Sequence, residues 1–262
     1  MSASRNLLTV VVCLSVFPLL AQDAGELFRQ GERLFAERKP EAAIAAFKRA
    51  IEMRPAYAQA WKALGVVYAS RQEFELAERA FRNACEHDPS LSDACLYYGR
   101  TLYLLNRFQT AIDVLHSVLQ RDVENSEACR LLALSLEALG QSAEAGSAFR
   151  QSVRYYRASA ANEDPGIDYG VFLFRQGQAE DAVAPLEAVL KRHPDAARAY
   201  LELGCIELAL DHLPQAAAHL ERALAFSPNV ARAHLLLGKV YQRQGKTQAA
   251  EEHLRLGSQT AR

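Results

Sequence analysis

A small residue returns at a fixed interval along this chain. Alanines stand at Ala43, Ala77, Ala111, Ala145, Ala182, Ala216 and Ala250, with successive gaps of 34, 34, 34, 37, 34 and 34 residues. Four positions after each comes a large apolar side chain: Phe47, Phe81, Leu115, Phe149, Leu186, Leu220 and Leu254. Twelve positions before each comes glycine or alanine: Gly31, Gly65, Gly99, Ala133, Gly170, Gly204 and Gly238. One register held through seven units rules out a single core of unrelated elements. Such a chain stacks similar modules, each too small to bury its own apolar face and each covered by its neighbours.

Each unit reads as two helices. In the second unit Ala60, Trp61, Leu64, Val67 and Tyr68 recur at helical spacing, and Ser70-Arg71-Gln72-Glu73 breaks the pattern. Leu76, Ala77, Ala80, Phe81 and Ala84 then form a second apolar stripe, ended by Asp88-Pro89. Gly65 and Ala77 fall where the two helices cross, and small side chains there let the backbones approach. Tyr68 and Phe81 fill the space beside the crossing. Pro55, Pro89, Pro194 and Pro228 close the second helices of their units, because proline cannot continue a helix and turns its predecessor away from the α region. Half of the residues are hydrophobic but only 8% are aromatic, a balance that suits close-packed helices over strands. The fold class expected is all-α.

The run Trp61-x-x-Leu64-Gly65-x-x-Tyr68, followed by Ala77-x-x-x-Phe81 and Pro89, resembles the complete signature of the tetratricopeptide repeat. The match extends from Ala24 to about Gly257. The resemblance implies an α-solenoid, a right-handed superhelix in which first helices line a concave groove and second helices form the outer wall. It also implies a protein that binds other proteins and is not an enzyme.

The fourth and fifth units break the rule. No proline closes the fourth, so Val153-Arg154-Tyr155-Tyr156-Arg157 extends its second helix, and residues 158–163 read as a small polar linker. Asp164-Pro165 reads as an N-cap followed by a first-turn proline. Gly166 stands where the second unit has Trp61, which predicts a thin contact, and Pro185 predicts a kink. The organisation expected is a signal peptide over 1–21, repeats one to four over 22–157, and repeats five to seven over 158–262, with an irregular joint near 155–166. In the last unit Ser258 takes the slot that holds Ile51, Leu119, Val153, Leu190 or Leu224 elsewhere, a polar end face that reads as the finished end of the stack.

The first 21 residues differ from the rest. Arg5 precedes the apolar run Leu7 to Leu20, and Ala21 precedes Gln22-Asp23. The run is too short for a membrane span of about 20 residues but matches the apolar core of a signal peptide. Export to a periplasmic or other extracytoplasmic space is the expectation, with membrane tethering the alternative if the segment stays uncleaved. Val11 and Val12 stand before Cys13 where lipoprotein processing wants small residues, so no lipid anchor is expected. Cys85, Cys95, Cys129 and Cys205 show neither CxxC spacing nor histidine partners and read as small buried hydrophobes, with oxidation in an exported protein the alternative.

Chemistry is scarce. With 30 Lys+Arg against 31 Asp+Glu the formal charge is −1, which does not supply the basic footprint that phosphates require, so no nucleic-acid partner is expected. Neither G-x-S-x-G nor H-E-x-x-H occurs, the seven histidines are scattered, and no cofactor or metal site is expected. His219 and His253 hold equivalent places in adjacent units without a third ligand candidate. Glu163-Asp164 and Glu180-Asp181 flank helix starts, where they favour the dipole.

By the resemblance, a partner meets the free face of the first helices. That face carries Lys62, Val66, Leu96, Tyr97, Arg100, Tyr103, Arg130, Leu134, Val171, Phe174 and Arg175. Arginine and aromatics are enriched at binding hot spots, and the mixture suits an extended peptide or helix with apolar anchors and some acidic character. Family members that grip chaperone C-termini use lysine, asparagine and arginine on consecutive first helices. Lys62 matches, but Val66, Tyr97, Glu127 and Leu131 occupy the other places, so that activity is not expected. The reading is an interaction scaffold of the envelope or exported space, of the kind that assists pilus or outer-membrane assembly. A self-associating module and an accessory domain for a separate enzyme are the alternatives.

Overall fold

The computed structural model describes residues 23–158 and 163–260; the expected signal peptide lies outside them, as do 159–162 of the expected linker. Fourteen helices and no strand occur among the described residues, in pairs that follow the repeat. The pairs are α1 (Ala24–Ala36) with α2 (Pro40–Met53), α3 (Ala58–Ser70) with α4 (Phe74–His87), α5 (Ser92–Leu104) with α6 (Phe108–Arg121) and α7 (Ser126–Ala138) with α8 (Ser142–Tyr155). Then come α9 (Gly166–Arg175) with α10 (Ala179–Arg192), α11 (Ala197–Ala209) with α12 (Leu213–Phe226) and α13 (Ala231–Arg243) with α14 (Thr247–Thr260). The chain divides into two compact units, Met1–His87 and Asp88–Arg262. Unit 1 holds α1 to α4 and unit 2 holds α5 to α14.

The turn inside each pair has one construction seven times over. Arg38, Gln72, Asn106, Gly140, Gly177, Asp211 and Gly245 all take positive φ, between 56° and 79°. The residue after each donates its N–H back across the turn, as in Glu73 to the Tyr68 carbonyl at 3.0 Å and Gln141 to that of Leu136 at 2.9 Å. This closes the first helix and turns the chain into the second. Left-handed backbone costs an ordinary residue about 1–2 kcal/mol, and Gln72 bears that cost where Gly140 does not. Gln72→Gly should therefore stabilise unit 1 by about 0.5–1 kcal/mol after the entropy glycine adds to the unfolded chain. A higher midpoint in urea unfolding is the expected result; Gly140→Ala should move the midpoint the other way.

Within each pair the helices nest as the small-residue register requires. A Cβ on Gly65 would come within 2.6 Å of the Phe81 ring, and one on Gly170 within 2.7 Å of Leu186. Ala43, Ala77, Ala111, Ala145, Ala182 and Ala216 have no exposed surface. Second helices end two residues before Pro55, Pro89, Pro194 and Pro228, at Met53, His87, Arg192 and Phe226. Neighbouring first helices touch directly, α1 with α3 in unit 1 and α5 with α7, α9 with α11 and α11 with α13 in unit 2. Apart from α7 and α9, the first helices within a unit approach one another while the second helices, among the described residues, do not, so the first-helix side is the inner one.

The fourth-to-fifth junction, inside unit 2, is filled by other means than a tryptophan. α8 runs to Tyr155 and α9 starts at Gly166 behind Pro165, with Asp164 Oδ1 accepting the Gly166 N–H at 2.9 Å. Gly166 is buried against Val189, and Phe149 of α8 packs on Phe172 and Tyr169 of α9 with centroids 5.1 and 6.1 Å apart. α10 continues through Pro185. The expectation of small buried thiols holds fully for Cys129 alone: Cys85 and Cys95 are disulfide-bonded, and Cys205 is free but only half-buried. An amphipathic pattern reports burial and is blind to oxidation. Burial, helped by Asp122, pushes the Cys129 thiol up to about 11 and keeps it unreactive.

Candidate interaction surface

The inner side of unit 2 carries an unbroken chain of ion pairs. Arg130 of α7 grips Glu127 through Nε and Nη2, both at 2.8 Å, and reaches Asp168 of α9 through Nη1 at 2.7 Å. The other oxygen of Asp168 accepts from Arg198 of α11 at 2.7 Å, and Arg198 continues to Glu163 at 2.6 Å. Asp168 is 9% exposed and Arg130 15%, so the centre of this network is nearly dry. Burial works against the Arg130 charge, but hydrogen bonds and charges from Glu127 and Asp168 outweigh it and raise the pKa above the ordinary arginine range. Arg175 bridges α9 back to Glu137 of α7 at 3.2 Å, and Arg232 of α13 clasps Glu202 of α11. Close by, Asp164 holds Arg192 at 2.8 Å, and the Tyr156 hydroxyl lies 3.3 Å from His193 Nε2.

Two clefts open beside this network. One of about 290 Å³ lies between Tyr103, Arg130, Leu134, Glu137, Asp168, Val171, Arg175 and Arg198. The other, about 540 Å³, is walled by Leu96, Tyr97 and Arg100 of α5, Glu127 of α7, and Tyr155, Tyr156, Arg157 and Glu163. The structure thus gathers Tyr97 and Arg100 in one cleft and Tyr103, Arg130 and Arg175 in the other. Phe174 is half-buried on α9 and lines neither, and Lys62 is half-buried on α3 of unit 1. Arg130 is consumed by Glu127 and Asp168, whereas Arg100 points out exposed. Asp168, Arg198, Glu163, Tyr155 and Tyr156 also line this surface, although pattern gives none of them a binding role. The one available signal is Asp168 itself, a carboxylate inside the otherwise apolar run of Gly166 to Phe174.

Histidines form a pair elsewhere. His253 of α14 meets not His219 but His234 of α13, Nδ1 to Nδ1 at 2.9 Å with the rings stacked. His234 Nε2 faces the Pro228 carbonyl at 3.0 Å, which can only accept, so His234 carries its proton on Nε2 and accepts from His253 Nδ1–H. Burial, then the neighbouring His234, lowers the His253 pKa from its ordinary 6.5, and burial lowers that of His219. The folded chain therefore binds fewer protons than the unfolded one. The stability this contributes is complete above the ordinary histidine range and is lost as pH falls through the lowered value. Urea unfolding between about pH 7.5 and 5 should show a falling midpoint, with a shallower fall in His253→Gln. No group of three or more His, Cys, Asp or Glu among the described residues is placed to hold a metal ion, and no helix among them is long and apolar enough to cross a membrane.

Paired helices in one register, cross-linked along their inner side, define an α-solenoid. The chain belongs to the tetratricopeptide repeat family, whose models match residues 28–92, 98–163, 173–229 and 207–262. That family supplies scaffolds for protein–protein interaction. A tetratricopeptide repeat protein from Parabacteroides merdae shares the fold with a TM-score of 0.71 at 14% identity, over 91% of this chain and 93% of that one. A chain of the APC/C hetero-tetramer Cut9-Hcn1 matches with a TM-score of 0.67 at 19% identity over 84% of this chain; this chain spans 43% of its length. YrrB, a tetratricopeptide repeat protein with an unusual peptide-binding site, matches with a TM-score of 0.52 at 22% identity, over 72% of this chain and 95% of its own. At these identities the likeness is one of fold. No curated protein matches the sequence.

Proposed function

We propose that the chain is a non-catalytic scaffold of the exported space, and that the inner side of unit 2 holds an extended segment of a partner protein. The observation that carries this reading is the pair of clefts on α5, α7 and α9. They offer Tyr97, Tyr103, Leu134 and Val171 as apolar contacts beside the exposed Arg100 and Arg175. Aromatic side chains bring large contact area at low entropic cost, and arginine brings directional donors. The ion-pair chain gives these groups a rigid backing, which lowers the ordering cost of binding. YrrB, with its peptide-binding site, and Cut9-Hcn1, a hetero-tetramer, are the neighbours whose roles agree with this reading. The apolar N-terminal run and the disulfide-bonded state of Cys85 and Cys95 support an oxidising, extracytoplasmic setting.

The test is affinity purification from the native envelope fraction with identification of what co-elutes, followed by titration of that protein. Arg100→Ala with Tyr103→Ala should weaken binding about tenfold or more, the loss typical of two hot-spot truncations, while leaving the circular dichroism melt in place. Undiminished affinity would place the binding surface elsewhere.

A further inference from the structure

Unit 1 bears a second, differently charged groove on its second-helix side. α2 and α4 stand apart with α3 between and beneath them, and a cleft of about 420 Å³ opens there. Its floor is apolar: Ile51 of α2, Trp61, Leu64 and Tyr68 of α3, and Ala80 of α4, with Leu76 at the edge 41% exposed. The Trp61 indole is pinned by its Nε1–H donating to the Pro55 carbonyl at 2.7 Å, so the floor is preformed. Over it stand Lys48, Arg79 and Arg82 against one carboxylate, Glu52. Arg82 has a distant partner in Glu78 at 3.8 Å, whereas Lys48 and Arg79, both exposed, form no ion pair among the described residues.

We propose that this groove docks an acidic segment of a partner protein, inserting one large apolar side chain between Trp61 and Leu76 while flanking carboxylates meet Lys48 and Arg79. Charge complementarity selects the occupant. A basic segment would meet three cations, and a neutral one would leave two of them facing uncompensated polar surface as the rim dries. An apolar floor with a few charges at its rim, at this volume, is the form that small binding sites take. The inference concerns unit 1 alone and does not depend on the reading of unit 2.

Trp61 is the sole tryptophan of the chain, so its fluorescence reports this groove directly. The probe is a synthetic peptide of alternating glutamate and serine around one central leucine, compared with its lysine counterpart. The glutamate peptide should shift Trp61 emission saturably and bind more weakly as salt rises, and the lysine peptide should do neither. Lys48→Glu with Arg79→Glu, both on exposed side chains, should weaken the glutamate peptide about tenfold or more with an unchanged melt. Arg100→Ala with Tyr103→Ala should leave it untouched. Equal response to both peptides, no response of Trp61, or loss of binding in the unit 2 variant would overturn the proposal. So would a concentration-dependent dimer that the Lys48/Arg79 variant abolishes, because the occupant would then be a second copy.

Discussion

Asp168→Ala should lower the stability of unit 2 by about 3–5 kcal/mol, the cost of removing one member of a buried ion pair. The reason lies in what is left behind. Arg130, 15% exposed, keeps Glu127 but loses its reach to α9, and Arg198 loses the oxygen that ties α11 to the same point. One carboxylate links three consecutive first helices, so its loss loosens two repeat junctions at once. In a solenoid, stability is a sum over repeats and nearest-neighbour junctions, so the lesion should also cost cooperativity. Urea unfolding followed by circular dichroism should give a lower midpoint and a broadened or split transition. Asp168→Asn should fall between wild type and alanine, since the amide can accept from one arginine but carries no charge. A double-mutant cycle with Arg130 should return a coupling of at least about 1 kcal/mol. Additive effects would mean that the two side chains do not act together.

Phe149→Ala should cost about 3–5 kcal/mol through lost burial and the cavity left behind. Phe149 has no exposed surface and sits where the repeat register puts its large residue, but it also bridges α8 to Tyr169 and Phe172 of α9. It therefore fastens its own helix pair and the junction that Gly166 leaves without a tryptophan. Phe149→Leu, which keeps most of the volume, should recover most of the loss. The expected readout is thermal unfolding with a lowered midpoint in the alanine variant and a small shift in the leucine variant. A loss below about 1 kcal/mol for alanine would show that the junction is held elsewhere.

The repeat itself was legible because sterics leave little choice. A Cβ at Gly65 or Gly170 would press within 2.6–2.7 Å of Phe81 or Leu186 and force one of them to shift, so the spacing between small and large residues states which helices cross. The left-handed turn was legible only in part. Gly140, Gly177 and Gly245 announce it, while Arg38 and Gln72 hide it, because the flanking helices impose the turn whatever residue stands there.

The surface was legible as residue types and not as pairings. Tyr97, Arg100, Tyr103 and Arg175 do line clefts, yet nothing local to Arg130 shows that Asp168, 38 positions on, will claim its guanidinium. The longer interval at the irregular joint sets that register, and a constant period of 34 cannot express it. Reading Glu163 and Asp164 as dipole-favouring residues accounts for Asp164 at Gly166 N–H but not for its bond to Arg192 or for Glu163 on Arg198. Ion pairs between repeats are set by superhelical geometry, which sequence spacing constrains only loosely.

On the reading proposed above, the inner side of unit 2 holds another polypeptide. The most direct test is a photoactivatable cross-linker placed at Tyr103, with a control at the exposed Arg222 on α12, irradiated in cells of the native host. The account predicts a discrete protein adduct from Tyr103 and none from Arg222. Adducts of equal yield from both positions, or from Arg222 alone, would contradict it.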